Sequence, residues 1–177
     1  NVPVGDIAQD APEDLFCAAL SLWQFAGKRQ TGKPKLRVIN PRQDEHGWRS
    51  PHTIVEIVND DMPFLVDSVT AELNRRELTV HIVIHPIVRV TRDGKGALKE
   101  VVGPEAKAGV AESYMHVEID QQGSSELLIE IERSIEAVLA DVRASVADWN
   151  AYALANGKTE DELKGLKRED IKALFEA

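Results

Sequence analysis

The spacing of apolar residues predicts three helices in this chain. One apolar stripe, with residues three or four apart, begins near Pro12 and stops at Gly27, where the helix is expected to end. A second stripe covers residues 63–76. The third and longest runs from Leu128 to Tyr152 with alternating three- and four-residue spacing, which is the seam pattern of a helix that packs along its whole length.

Short β-branched or alternating segments predict four strands. They cover residues 36–39, 52–59, 78–92 and 113–120. The third strand is expected to bend at Pro86, because proline cannot donate a ladder hydrogen bond. Residues 40–51 contain two prolines and a glycine, and residues 94–112 are rich in Gly, Ala and Lys. We therefore expect a loop in the first of these segments and an irregular excursion in the second.

The order of these elements predicts an α+β fold of the ferredoxin-like βαββα type. It has an antiparallel sheet, an extra N-terminal helix and a long second helix. The last strand of a full βαββαβ unit is missing, and residues 36–39 could replace it by pairing antiparallel with residues 52–59. We expect an N-terminal lead and helix over residues 1–33, the main domain over residues 34–153, and a helical tail over residues 154–177.

Strand alternation separates the sheet into an apolar face and a polar face. The apolar face is expected to include members of three strands: Val55, Ile57, Val80, Ile82, Ile84, Met115, Val117 and Ile119. The polar face collects four of the five histidines and three acids: His52, Glu56, His81, His85, His116, Glu118 and Asp120. His116 and Glu118, with a histidine of the neighbouring strand, could ligate a metal ion. The alternative, which we favour, is a face left open to water or to another domain, without a metal site.

An acidic turn joins two of the predicted elements within the run HTIVEIVNDDMPFLVDSV. It holds the candidate effector-binding residues Asn59, Asp60, Asp61, Met62, Pro63 and Phe64. The side chains of Asn59, Asp60 and Asp61 could cap the N–H groups of the following helix. Alternatively, they could form with backbone N–H groups a pocket for the two charged ends of an amino acid. Adjacent carboxylates do not converge on one bond, so no catalytic residue is predicted here.

Composition excludes several classes of function. A net charge of −9 and a pI near 5.1 argue against a nucleic-acid-binding surface. No apolar stretch approaches the roughly 20 residues that a membrane-spanning helix needs. The single cysteine, Cys17, fits a reducing compartment, and we expect a cytoplasmic protein. No GxGxxG motif is present, so no cofactor is expected to bind these residues. The chain begins at Asn1 without methionine, and we expect it to be a piece of a longer polypeptide.

Several of these motifs resemble known families. The segment DDMPFLVDSV is similar to the first loop and helix of an ACT domain, whose usual pattern is Asp-x-Pro-Gly-Leu-Leu and an aliphatic residue. Pro63, Leu65 and Val66 match this pattern, whereas Phe64 stands in place of the glycine that lets an ACT backbone approach its ligand. More specifically, the runs NPRQDEHGWRSPHTIVEIVNDDMPFLVDSV, HPIVRVTRDGKG, ESYMHVEID and VLADVRASVADW, within about residues 38–149, resemble the N-terminal region of large bacterial NAD-dependent glutamate dehydrogenases.

The resemblance implies a non-catalytic, ACT-like regulatory or assembly domain over residues 34–153. The nicotinamide and glutamate sites of such enzymes belong to another part of the polypeptide, where L-glutamate is oxidatively deaminated to 2-oxoglutarate with NAD. The expected partners are the other domains and subunits of the parent enzyme and, if the acidic turn is a pocket, an amino-acid effector. Two alternatives stay open: an oligomerisation scaffold without effector, and a small metal-dependent hydrolase on the polar sheet face.

Overall fold

The computed structural model describes residues 12–103, 106, 108–155, 157 and 159. The predicted lead at residues 1–11 and nearly all of the predicted helical tail lie outside the described residues. The helices found are α1 (Pro12–Ala26), α2 (Gln43–His46), α3 (Leu65–Arg75) and α4 (Ser125–Ala155). The strands are β1 (Lys35–Ile39), β2 (Thr53–Asp60), β3 (Val80–Ile84), β4 (Ile87–Arg92), β5 (Leu98–Val101) and β6 (Val110–Ile119).

One antiparallel sheet contains these strands in the order β1-β2-β6-β4-β5, and β3 also pairs with β6. β1 pairs antiparallel with β2, so that Val38 lies opposite Val55. This strand takes the place of the missing last strand of the βαββαβ unit, as predicted. The expected α+β fold class, with an extra N-terminal helix and a long second helix, is confirmed.

The prediction of one continuous strand over residues 78–92 is wrong, but the chain does bend at Pro86 as predicted. The chain forms two strands that separate at His85 and Pro86, and both strands pair with β6. Pro86 has no N–H to donate, but its carbonyl oxygen accepts a hydrogen bond from the Tyr114 N–H at 3.0 Å. The sheet therefore continues along β6 while its partner strand is interrupted.

A β-bulge changes the faces of β3. The register advances by two residues on β3, from Val80 to Ile82, while it advances by one on β6. Val80 packs against the main core as predicted. Ile82 and Ile84 do not, because beyond the bulge Ile84 pairs with His116, and both isoleucines line a cavity together with that histidine. The predicted face of these two residues is therefore wrong.

Two segments predicted to be irregular contain regular elements. The loop at residues 40–51 includes the short helix α2, and the excursion at residues 94–112 includes β5 and the beginning of β6. The β4–β5 hairpin is closed by Asp93, whose carboxylate accepts the N–H groups of Lys95 and Ala97, both at 2.9 Å. This local side-chain bonding gives a Gly- and Lys-rich segment a defined turn.

The main core lies between the sheet and the helices α3 and α4. Its buried members come from alternate positions of β1, β2 and β6 and from one face of each helix: Val38, Val55, Ile57, Leu65, Val69, Leu73, Met115, Val117, Ile119, Ile131, Ile135, Leu139 and Val142. The predicted apolar face of β2 and β6 is thus confirmed. Within the described part of the chain, no helix is both long and apolar enough to cross a bilayer, α4 included.

The second sheet face is covered by α1, so the prediction of an open face is wrong. Ala26 at the end of α1 is fully buried and packs with Val58 and Tyr114. The ring of Phe25 lies 4.5 Å from both the Lys35 ammonium and the Arg37 guanidinium, which are cation–π distances. Glu56, His116 and Glu118 of this face are covered, and each has a charged partner, whereas the paired His81 and Asp120 stay partly exposed.

His116 shows how such a residue is buried. It is 7% exposed and lies between two carboxylates, with Nδ1 3.5 Å from Glu56 Oε1 and Nε2 3.4 Å from Glu118 Oε1. Burial opposes protonation, but the hydrogen bonds and charges of Glu118 and Glu56 raise the pKa of His116 to about 9. Glu56 is also paired with Arg37, and Glu118 with His52. The imidazolium therefore belongs to a compensated buried cluster.

The packing of α4 generates a stability prediction. Ile135 is fully buried, whereas Ile129 on the same helix is 49% exposed. We expect Ile135→Ala to lower the free energy of unfolding of this chain by about 2–5 kcal/mol, because a cavity replaces the removed side chain. Ile129→Ala should change it by less than about 1 kcal/mol. Denaturant unfolding of both variants checks this, and equal losses would contradict the orientation of the helix.

A second prediction concerns pH. The pKa of His116 is raised from an ordinary 6.5 to about 9. Its ion pairs therefore stabilise the fold fully below pH 6.5, and this stabilisation is lost as the pH rises through 9, by at most about 3 kcal/mol. Urea midpoints measured at pH 6 and pH 9.5 should differ in the unmodified chain and differ less in His116→Gln. The same pH dependence in both proteins would show that His116 is not protonated in the folded state.

Candidate functional site

The six candidate residues of the acidic turn lie in different environments. Asn59 and Asp60 end β2; Asn59 is fully buried, and the Asp60 side chain is 23% exposed. Asp61 is exposed, and its backbone N–H donates to the Ala111 carbonyl at 3.0 Å. The other three are partly buried: Met62, Pro63 and Phe64. The structure therefore brings the six residues together, but their side chains do not converge on one point.

The prediction that acidic side chains cap the following helix is wrong. The N-cap of α3 is Phe64, which has a φ of 70° and no side-chain capping hydrogen bond among the described residues. A bulky residue adopts this left-handed conformation only at a cost, whereas glycine adopts it freely. Packing of the Phe64 side chain against the main core helps to offset that cost. The backbone here is one that suits the glycine of the ACT pattern.

Asp60 is bound instead by groups from distant parts of the chain. Arg29 Nη2 donates to Oδ1 at 2.7 Å. The Gly32 N–H and Arg143 Nη1 donate to Oδ2 at 3.0 and 3.1 Å. Arg143 Nη2 also donates to the Asn59 side-chain oxygen at 2.7 Å. Because Arg143 belongs to α4 and Arg29 follows α1, the turn is joined to both helical layers.

A fully buried carboxylate lies behind Asp60 and binds two arginines. Glu112 Oε1 accepts from Arg29 Nη2 at 2.6 Å, and both of its oxygens accept from Arg92 at 2.7 Å. Burial alone would raise the pKa of Glu112, but the hydrogen bonds from Arg92 and Arg29 hold it below its ordinary value. Arg92 also donates to the carbonyls of Ala26 and Gly96. We name as the arginine clamp the group Arg29, Asp60, Arg92, Glu112 and Arg143.

Of the clamp residues, the sequence singles out only Asp60. The contacts of the clamp join residues as far as 83 positions apart, and no sequence spacing links them. Glu112 falls in the segment that was predicted to be irregular. The available signal is a charge on the same strand face as Tyr114 and His116, because a carboxylate on a buried strand requires a partner. That signal predicts a partner without saying which residue supplies it.

Asp61 is the carboxylate of the turn that stays outside the clamp. Loss of hydration raises its pKa, and the nearby His85 opposes this shift. Loss of hydration also lowers the pKa of His85, whose Nε2 lies 2.6 Å from Ser113 Oγ. Alternation along β6 places Ser113 on the core face with Met115, so His85 does not belong to the predicted polar face. The turn thus exposes one carboxylate beside a histidine that is mostly neutral at pH 7.

A groove begins at the turn and follows the two helices. It has a volume of about 480 Å³ and lies between α3 and α4. Its lining is mixed, with Phe64 and Val138 beside Ser68, Arg75 and Asp141. The groove therefore offers both polar and apolar contacts next to the residue that occupies the glycine position of the ACT pattern.

The possible metal ligands of the polar face are engaged in pairs. His52 Nδ1 lies 2.7 Å from Glu118, and His81 Nε2 lies 2.8 Å from Asp120. His116 lies between its two carboxylates, and His85 is on the other face. In the part of the chain that the structure describes, no group of three or more His, Cys, Asp or Glu residues is placed to hold a metal ion.

Comparisons with known proteins agree with this architecture. Residues 1–135 match the family model described as the glutamate dehydrogenase ACT1 domain. A NAD-specific glutamate dehydrogenase of Halomonas elongata is 42% identical over 172 residues, which are 96% of this chain and 11% of the relative. A NAD-specific glutamate dehydrogenase of Pseudomonas aeruginosa is 39% identical over 150 residues, 84% of this chain and 9% of the relative.

The chain spans about a tenth of the length of these curated relatives. The family model and both alignments include the acidic turn, the clamp residues up to Glu112 and the whole sheet. Together with the confirmed fold, they establish that this chain belongs to the ACT1 domain family of glutamate dehydrogenases.

Proposed function

We propose that this chain is a non-catalytic regulatory domain of a large, cytoplasmic NAD-dependent glutamate dehydrogenase. The parent polypeptide would oxidatively deaminate L-glutamate to 2-oxoglutarate with NAD, and its other domains and subunits would be the partners of this domain. The names of the relatives support this proposal, as does the small part of their length that the chain covers. The domain boundaries of the proposal are those of the sequence analysis: residues 1–33, 34–153 and 154–177.

The observation that carries a regulatory role is the position of Arg143. This residue of α4 donates to both Asn59 and Asp60, so the long helix is bonded directly to the turn. A ligand or domain contact that moves the turn would change these two hydrogen bonds. The position of α4, and of the polypeptide beyond it, would then depend on occupancy of the turn. Such a difference in contacts between two states is what regulation by an effector requires.

The geometry divides the candidate residues into two roles. Asp61 is exposed and could accept the ammonium group of an amino acid. The first turn of α3, next to Met62, Pro63 and Phe64, would face the carboxylate, because N–H groups and the helix dipole favour an anion there. Asn59 and Asp60 would not contact the effector. They would transmit its binding through the arginine clamp.

A scaffold without effector is the second candidate function. Three large apolar side chains of α1 are exposed, namely Phe16 at 67%, Leu20 at 41% and Trp23 at 44%. Their spacing forms one stripe that another domain of the parent enzyme could cover. In this alternative the clamp stabilises only the fold, and no amino acid binds at the turn.

The first functional prediction concerns catalysis. This chain alone should not reduce NAD in the presence of glutamate, because no Gly-rich dinucleotide turn follows any of its strands. Absorbance at the reduced-nicotinamide band, with the full-length parent enzyme as positive control, measures this. Turnover by the purified chain would refute the non-catalytic assignment.

The second prediction separates the two carboxylates of the turn. Asp60→Asn should lower the free energy of unfolding by about 1.5–3 kcal/mol, because it removes charge-assisted hydrogen bonds to Arg29 and Arg143. Asp61→Asn, the matched control in the adjacent position, should change it by less than about 0.5 kcal/mol. Thermal or denaturant unfolding of both variants provides the comparison. Equal destabilisation would contradict the different environments of the two residues.

The same variants test the effector. Each of the twenty amino acids is titrated calorimetrically into the full-length parent enzyme, and any that binds is then titrated into the variants. Asp61→Asn should weaken its affinity by roughly one to two orders of magnitude. Asp60→Asn should leave binding largely intact but reduce its effect on the rate. Binding of no amino acid, or unchanged affinity in Asp61→Asn, would favour the scaffold over the pocket at this turn.

A further inference from the structure

A cavity of about 310 Å³ lies between α1 and the second face of the sheet, and none of its lining residues belongs to the acidic turn. Its apolar lining comes from α1 and β3, namely from Leu15, Ala18, Leu22, Ile82 and Ile84. Trp23 also lines the cavity and is 44% exposed, so the cavity is open to solvent without any movement of the chain. The volume is at the low end for ligand pockets and suits a molecule of about ten non-hydrogen atoms.

Two lining side chains of opposite charge lack partners. Asp14 lies in the first turn of α1, and Arg49 lies in the loop between α2 and β2. Among the described residues, neither side chain makes a hydrogen bond or an ion pair, and the two are not bonded to each other. By contrast, the lining residues His116 and Glu118 are already paired. The cavity therefore presents one carboxylate and one guanidinium that a ligand can bind.

Ser50 adds a hydrogen-bond donor next to Arg49. Its Oγ accepts the N–H of His52 at 3.0 Å, which leaves the Ser50 hydroxyl hydrogen available, and the residue also lines the cavity. A guanidinium and a hydroxyl together suit a carboxylate, because both donate and the guanidinium is charged. Asp14 suits an ammonium group for the same reason.

These groups determine the charge of a matching ligand. A ligand with only a carboxylate would leave Asp14 unpaired and would be repelled by it, and a ligand with only an ammonium group would meet the same difficulty at Arg49. An uncharged ligand would pair neither side chain. A ligand with both charged groups pairs both side chains, and an apolar body attached to it would be buried by the lining of α1 and β3.

We propose that this cavity binds a zwitterion with a large apolar side chain, such as an aliphatic α-amino acid. Arg49 and Ser50 bind its carboxylate, Asp14 binds its ammonium group, and its side chain lies between α1 and the isoleucines of β3. The site is independent of the pocket proposed at the acidic turn, because the two sites have no residue in common.

The experiment titrates leucine, and three analogues that each lack one part of leucine, into this 177-residue chain. The analogue 4-methylpentanoate lacks the ammonium group, 3-methylbutylamine lacks the carboxylate, and glycine lacks the apolar side chain. Nitrogen-15 NMR follows the tryptophan indole N–H signals, of which Trp23 lies at the cavity and Trp149 does not. We expect leucine to move the signal of Trp23 but not that of Trp149, with a dissociation constant of about 1 mM or below. Each analogue should bind at least about fivefold more weakly.

Two variants test the charged groups, each with a matched control. Arg49→Gln and Asp14→Asn should each weaken leucine binding about 5- to 20-fold, because each removes one charge-assisted hydrogen bond at a partly solvated site. Arg42→Gln, in an exposed arginine just before α2, and Glu13→Gln, in the same turn of α1 as Asp14, change residues outside the cavity lining. These two controls should leave the affinity unchanged.

The variants also assign each charged group of the ligand to its partner. Arg49→Gln should not weaken the binding of 3-methylbutylamine, which has no carboxylate to lose. Asp14→Asn should strengthen the binding of 4-methylpentanoate, because the variant removes the repulsion between two carboxylates. Ala18→Leu places extra atoms in the cavity and should abolish leucine binding while the melting temperature shows that the chain remains folded.

Several results would overturn the proposal. They are no leucine binding at millimolar concentrations, equal binding of leucine and glycine, equal weakening in Arg49→Gln and Arg42→Gln, or unchanged leucine affinity in a folded Ala18→Leu. Leucine binding that is lost in Asp61→Asn but kept in Asp14→Asn would place the ligand at the acidic turn and would also overturn it. Failure of this site leaves the regulatory proposal intact, because that proposal is measured with Asp61→Asn in the full-length parent enzyme.

Discussion

The structure depends on one buried carboxylate. Glu112 is fully buried and holds two arginines that are themselves almost inaccessible, and one of these arginines continues the network to Asp60. A buried charge is stable only while its partners remain in place, and removal of one partner typically costs about 3–5 kcal/mol. Through the Ala26 and Gly96 carbonyls, the same network fixes the end of α1 and the β4–β5 hairpin. The ion-pair network of Glu112 therefore positions three segments that are separated from one another in the sequence.

The ion pairs of Asp60 with arginines fix the conformation of the acidic turn. With Asp60 bound to arginines of two layers, the chain leaves β2 in a fixed direction, and the next helix begins at Phe64 in a left-handed conformation. The capping that the sequence suggested would need the Asp60 carboxylate to face the helix, and the clamp forbids this. Asp61 remains exposed because no clamp residue reaches it. The turn thus combines a fixed residue, Asp60, with an accessible one, Asp61. This combination suits a site at which a bound ligand changes the contacts of the rest of the domain.

The parts of the fold that could be predicted are those with local causes. Alternation alone assigns Val55, Ile57 and Met115 to the core, and helical spacing alone gives α4 its buried seam. The errors have non-local causes. The bulge after Val80 arises from pairing with β6, and no sequence pattern within β3 predicts it. Cover by α1 was missed because the polar side chains beneath it are neutralised by partners on other strands. In the candidate site, Asp60 was found from its turn, whereas its arginines could be found only from the folded chain.

The two sheet faces are stabilised by different interactions, and the arginine clamp contacts both faces. The α3–α4 face is held mainly by apolar packing, with a groove between the two helices, while the α1 face is held by ion pairs beside a cavity. Ala26 ends α1 and accepts a hydrogen bond from Arg92, and Arg29 follows three residues later. Any movement of α1 that reaches its C-terminal end must therefore strain the bonds to Glu112, and through Arg29 the bonds to Asp60. By thermodynamic reciprocity, a change at the turn that loosens Asp60 also changes how firmly the end of α1 is held. The clamp therefore makes the two faces parts of one system.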